Sequence, residues 1–244
     1  SFNPNKPQKS LPALAEIYRE LNKIKDAFWR EQKQEQCRKM IVDCAGLFVE
    51  ANTEKFAFQA NEIAKVNINM LSRLADDLTI DGLNCGKAAI MFKKASPLPL
   101  NQFAKFELEV EMPTKTSNPY WLEFPHKNIY TVANQELIGK PENDVLLTVN
   151  TNLMVNEISI PITIPVRYKW QDRVEGEQQR DIVVVPPMCI NFSQPMSLNL
   201  NGEPVELNAT LKWFIGDKDV AVQFSAAGWK IELLSNEMQD NKVI

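Results

Sequence analysis

From Ile158 to Trp170 every even position is apolar (Ile158, Ile160, Ile162, Ile164, Val166, Tyr168, Trp170), and between them stand Ser159, Pro161, Thr163, Pro165, Arg167 and Lys169. Successive side chains of a strand point to opposite faces, so a strict period of two describes a strand that buries one face and wets the other. The polar run 171–180, with Gly176 inside it, is expected to reverse the chain. Asp181 to Val185 then read as a β-branched return strand that Pro186 and Pro187 stop. The rest of the chain is arranged around this ribbon.

The segment before the ribbon changes period twice. Ser10, followed by Leu11-Pro12 and Glu16, reads as a helix entry with proline tolerated in the first turn. Leu14, Ile17, Tyr18, Leu21 and Ile24 recur at helical steps, and Phe28, Trp29, Cys37, Met40, Ile41 and Cys44 continue the pattern. Two helices with a bend near Lys25 to Phe28 fit better than one long helix, whose single apolar stripe would need a partner along its whole length. Gly46 closes the helical part.

From Leu47 the period becomes two. Short runs around Phe48, Phe56 and Phe58, Ala64 to Met70, Leu78 and Ile80, and Phe106 to Met112 are separated by Asn, Asp and Lys breaks, the pattern of a small antiparallel sandwich. Pro113 to Pro125 reads as a connector anchored by Tyr120-Trp121. A second sheet is expected to begin at Val145 and to run past Asn201-Gly202, a hairpin signal, into the alternation of Val205 to Ile215 and the return of Val220 to Phe224. The expected fold is mainly β with an N-terminal α-helical segment. Its divisions are a helical lead-in at residues 1–45, a small sandwich at 46–113, a connector at 114–144 and a larger sandwich at 145–244.

The chemistry is bounded mostly by exclusion. A net charge of −4 with no basic stripe argues against a nucleic-acid footprint. No run of about 18 apolar residues could span a bilayer as a helix. The chain has four cysteines, of which Cys37 and Cys44 share a helical pattern. Seven residues apart on a helix means roughly 10 Å along the axis, too far for a disulfide. Cys85 and Cys189 fall in different expected domains, and small buried thiols are the reading for all four.

The chain has one histidine, His126, so metal or triad chemistry that needs two imidazoles is excluded within it. No CxxC pair or nucleophile elbow accompanies that histidine. The acid pairs Asp76-Asp77, Glu175/Glu177 and Asp217/Asp219 occupy expected turns, where solvated carboxylates are ordinary. Gly82 and Gly86 lack phosphate-loop spacing. Neither catalytic nor metal-binding residues are assigned. Flat rings with a polar edge suit sugar faces. Tyr168, Trp170 and Trp213 sit on the apolar phase of their strands and are expected in the core, which leaves Tyr120, Trp121 and Trp229 as candidate glycan contacts.

The runs GLFVEA (Gly46 to Ala51), NPYWL (Asn118 to Leu122), IPITIPVRYKWQDRVEGEQQRDIVVVPPMCINF (Ile160 to Phe192) and AAGW (Ala226 to Trp229) occur in that order. Together they resemble the region downstream of the catalytic domain in large bacterial proteins of the PIG-L/LmbE-like deacetylase family. The resemblance implies two antiparallel immunoglobulin-like β-sandwiches. It further implies a non-catalytic accessory or spacer module whose partner is the catalytic domain of the same polypeptide, and an extracytoplasmic location. Zinc would be a cofactor only of that catalytic domain, which is marked by an Ala-His-Pro-Asp-Asp segment and a later His; neither occurs here. The alternatives are a carbohydrate-binding module built on Trp121 and its neighbours, and an autonomous hydrolase using His126 or the turn acids.

Overall fold

The structure, a computed structural model, describes residues 2–125, 128–194, 196–199, 202–213, 223–228 and 230–232. The chain forms two compact units, Ser1–Val184 and Val185–Ile244.

The first unit opens with two helices, α1 (Leu11–Leu21) and α2 (Ala27–Ala45). The bend between them lies where the sequence placed it, because Asp26 starts a new helix: its Oδ1 accepts the Trp29 N–H at 3.1 Å. Gly46 ends α2 in the left-handed region at φ 60°, with its N–H turned back to the Asp43 and Val42 carbonyls. Leu11, Ala15 and Tyr18 of α1 and Cys37, Ile41 and Ala45 of α2 are buried in one core with the strands. The helices pack onto the sheet, α1 against strands β7 (Thr148–Val155) and β8 (Ile158–Asp172), and α2 against β1 (Leu47–Thr53).

The remaining strands of the main sheet are β3 (Ile63–Ser72), β4 (Thr79–Cys85), β5 (Ala88–Pro97), β6 (Ala104–Glu111) and β9 (Gly176–Asp181). Hydrogen-bonded neighbours run β5-β4-β7-β8-β1-β3-β6, with β9 also on β8. Every pairing in this sheet is antiparallel except β1 with β8, where Ala51, Asn52 and Thr53 align with Val166, Arg167 and Tyr168. The two ends of the order approach each other. Phe92 of β5 meets Phe106 of β6 with ring centroids 5.6 Å apart, so the sheet is nearly closed.

Strand β8 makes this possible by changing partners along its length. Residues 158–165 pair with β7, Val166 to Tyr168 with β1, and Arg167 to Asp172 with β9. Its period of two is realised: Ile160, Ile162, Ile164 and Val166 are buried while Ser159, Pro161, Thr163 and Pro165 are exposed. Burying those four side chains contributes on the order of 1.5–3 kcal/mol each. Strands β7 and β8, expected to open the larger sandwich, pair instead with β4 and β1. Strands from residues 46–113 and 145–172 therefore lie in one sheet, and the inward aliphatics of β8 share one core with side chains of both segments and of α1.

Two local expectations are corrected. The return strand of the ribbon is β9, within the polar run, because Asp172 Oδ1 accepts the N–H groups of Val174 and Glu175 and folds a tight turn ending at Gly176, φ 81°. The β-branched residues that follow form β10 (Val183–Val184), which pairs in parallel with β2 (Ala57–Phe58) rather than with β8. Of the four free thiols only Cys37 and Cys85 are buried; Cys44 and Cys189 are half-buried.

In the second unit, β11 (Met188–Phe192) and β12 (Ala209–Trp213) form an antiparallel hairpin. Trp213, expected in a core, is half-buried there. The expected alternation beyond residue 213, including Ile215, Val220 and Val222, lies outside the described residues.

Candidate functional site

The β8–β9 ribbon carries two chemically different faces, as alternation requires. On the odd face Lys169 sits between two carboxylates, Glu50 of β1 at 2.6 Å and Glu177 of β9 at 2.8 Å. Asn69 of β3 donates its amide to the other Glu50 oxygen at 3.0 Å, so four strands share one polar knot. Burial alone would raise the Glu50 carboxyl, but hydrogen bonds from Lys169, Asn69 and Asn52 overcome it and hold the group below the ordinary carboxylate range. The Lys169 ammonium is held above its ordinary value by Glu177 and then Glu50. Beside them Arg167 Nε lies 3.1 Å from Asp181 Oδ1, an attraction of charge without hydrogen-bond alignment.

On the even face the alternation continues past the core. Tyr168 is half-buried, and Trp170 is 37% exposed, which corrects the expectation that it belongs to the interior. Past Tyr168 β8 pairs with β9 alone, so Trp170 lies out on the two-stranded ribbon, beyond β7 and β1. Tyr168 and Trp170 stack with centroids 5.6 Å apart and planes 17° from parallel. Phe56 lies 6.0 Å from Tyr168, and the Arg180 guanidinium carbon stands 3.8 Å above the Phe56 ring.

Of the candidate glycan contacts chosen from sequence, Tyr120 and Trp121 lie in the connector. Tyr120 and Trp121 form an edge-to-face pair with centroids 4.9 Å apart, both half-buried. Tyr120 also ties the connector together: its hydroxyl donates to the Lys140 carbonyl at 2.9 Å and its N–H to Asn143 Oδ1 at 2.9 Å. Trp229 and His126 lie outside the described residues. Of the acid pairs, Glu177 is engaged with Lys169, Asp76 and Asp77 are exposed in their turn, and Asp217 and Asp219 lie outside the described residues. Sequence reasoning missed Phe56, Arg180 and Gln178. The available signal was the change from aliphatic to aromatic residues on the even face at Tyr168 and Trp170.

Among the described residues no three His, Cys, Asp or Glu side chains are grouped to hold a metal ion, and no helix is long and apolar enough to cross a membrane. Compared with protein-family models, with curated proteins and with solved structures, the chain matches none of them.

Proposed function

We propose that the chain is a non-catalytic accessory or spacer module of a larger PIG-L/LmbE-like zinc-dependent N-acetyl-sugar deacetylase, docking or positioning the enzyme domain through its helical lead-in. The observation that carries this reading is apolar surface left open on helices that already have a core. Ile17, Phe28, Trp29 and Met40 are exposed, Trp29 to 55%, although α1 and α2 bury their opposite sides on the sheet. Trp29 and Met40 are three helical turns apart and so fall on one face. Phe28 packs edge-to-face on Trp29 with centroids 5.3 Å apart, a preformed aromatic knob of the kind that anchors protein interfaces.

The β-rich body suits a spacer, and we read it as immunoglobulin-like. What supports this reading is a run of antiparallel strands, β1-β3-β6 and β5-β4-β7-β8, joined where β1 runs parallel to β8. On this reading a second sandwich would be built around the β11–β12 hairpin. Zinc belongs to the enzyme domain, whose His-Pro-Asp-Asp ligands this chain lacks.

Two measurements test the proposal. Incubated with zinc and N-acetylglucosamine substrates, the purified chain is expected to release no acetate; turnover would establish an autonomous hydrolase and end the accessory reading. Mixed with a separately produced deacetylase domain of that family, the chain is expected to form a complex by analytical ultracentrifugation. The double change Phe28→Ala, Trp29→Ala should weaken it about tenfold or more. A mixture that stays dissociated at high concentration would remove the docking claim.

A further inference from the structure

The row Arg180, Phe56, Tyr168, Trp170 combines three properties. Its rings are flat and nearly parallel at the exposed end, Tyr168 backing Trp170 from inside. The row is fixed by strand register: Tyr168 lies directly opposite Arg180, and Trp170 directly opposite Gln178, so these four side chains share one face. Its hydrogen-bonding groups are uncommitted. Among the described residues the Trp170 Nε1–H has no acceptor and Arg180 has no carboxylate, its one contact being the Phe56 ring. The Gln178 amide nitrogen donates to the Glu175 carbonyl at 3.3 Å, which leaves its oxygen open.

A guanidinium lying on a ring keeps its N–H donors pointing outward in its own plane. An exposed indole face rimmed by guanidinium donors, an indole N–H and an amide oxygen is the complement of a pyranose, whose ring presents C–H groups on its face and hydroxyls around its edge. Proline-rich peptides are a poorer match, because they dock in grooves between aromatic side chains, whereas Tyr168 and Trp170 present stacked planes with no cleft between them. Phosphate-bearing ligands would be repelled by Asp172 and Glu175 of the adjoining turn.

We propose that the Tyr168–Trp170 face of the β8–β9 ribbon binds a pyranose ring of a glycan, the indole covering the sugar face while Arg180 and Gln178 hold its hydroxyls. Phe56 and Tyr168 act as positioning residues, Phe56 by fixing the Arg180 guanidinium and Tyr168 by backing the indole. This site is separate from α1 and α2, so it stands or falls independently of the docking proposal.

The full chain is titrated with hexasaccharides of glucose, xylose, N-acetylglucosamine and galacturonate, and with a proline-rich peptide, reading tryptophan fluorescence and calorimetry. Saturable binding to at least one hexasaccharide is expected. Trp170→Ala should weaken it about tenfold, while Trp170→Phe, which keeps a flat ring, should stay within about threefold of the parent. Arg180→Gln should weaken it about fivefold without changing the far-ultraviolet circular dichroism. The proposal is overturned if none of the four sugars binds, if Trp170→Ala binds as the parent does, if Trp121→Ala rather than Trp170→Ala abolishes binding, or if only the peptide binds.

Discussion

The Lys169 ammonium lies 2.6 Å from a Glu50 carboxylate oxygen, bridging β8 and β1 at the one place where the main sheet pairs in parallel. Both side chains are only 21% exposed, so the pair is shielded from the solvent screening that weakens surface ion pairs. Lys169→Met leaves Glu50 half-buried without its cation and should lower unfolding free energy by about 1–3 kcal/mol in urea titrations. Glu50→Gln, Lys169→Met together should cost less than the sum of the single changes. Strict additivity would show that the pair is not coupled.

The same pair sets a pH dependence. Glu50 is held below its ordinary value, so the stability it contributes is fully present above the usual carboxylate range near about pH 4.3 and is lost as pH falls through the lower folded value. Lys169 is held above its ordinary value, so its contribution is present below about pH 10.4 and is lost as pH rises through the higher folded value. Unfolding curves of Glu50→Gln should therefore lose less stability than the parent between about pH 5 and pH 2. Parallel acid profiles would contradict the assignment.

Ile160 is fully buried on β8 between β7 and the rest of the core, whereas its neighbour Ser159 is exposed. Ile160→Ala should cost about 2–5 kcal/mol through lost burial and the cavity left behind. Ser159→Ala should stay within about 0.5 kcal/mol. Equal effects at the two positions would mean that β8 does not bury its even face.

Gly46 and Gly86 both adopt left-handed backbone, φ 60° and 59°, but only one is crowded. A Cβ at Gly46 would stand 3.0 Å from Leu74 Cγ and 3.2 Å from Arg73 Cβ, while at Gly86 nothing lies within 4 Å. Gly86→Ala should cost about 1 kcal/mol for conformation alone, and Gly46→Ala about 2 kcal/mol or more. Thermal melts that rank them the other way would show that the α2 to β1 junction can open.

Burial pushes the Cys85 thiol up to about 11 and raises Cys37 as well. A thiol reagent at pH 8 should leave both unmodified in the folded chain and reach all four cysteines once urea is added. Labelling of Cys85 at its unfolded rate would place β4 on the surface.

Much of this was visible in the residues themselves. The bend near Lys25 to Phe28, the stop at Gly46 and the wet and dry faces of β8 follow from changes of period and strict alternation through Val166, whereas the Asp26 cap that starts α2 emerges only from the structure. The polarity of Glu177 to Asp181 misleads only when turn chemistry is ignored: Asp172 closes the reversal so early that Glu177, Gln178 and Gln179 become strand. The aromatic row was illegible for a different reason. Whether Trp170 is core or surface depends on where β7 and β1 stop pairing with β8, which its own phase cannot report.

What the sequence by itself determined is local: the bend and the stop that bound α2, and which side of β8 is apolar through Val166. Those properties depend on residues a few positions apart, through cap hydrogen bonds and the pleat. Only the tertiary structure decided that β7 and β8 close onto β4 and β1, that Lys169 finds Glu50, and that Trp170 ends outside the core, stacked on Tyr168. Partner choice is a competition among many strands with similar apolar faces, settled by how the whole set of side chains packs, and no short window of sequence contains that comparison.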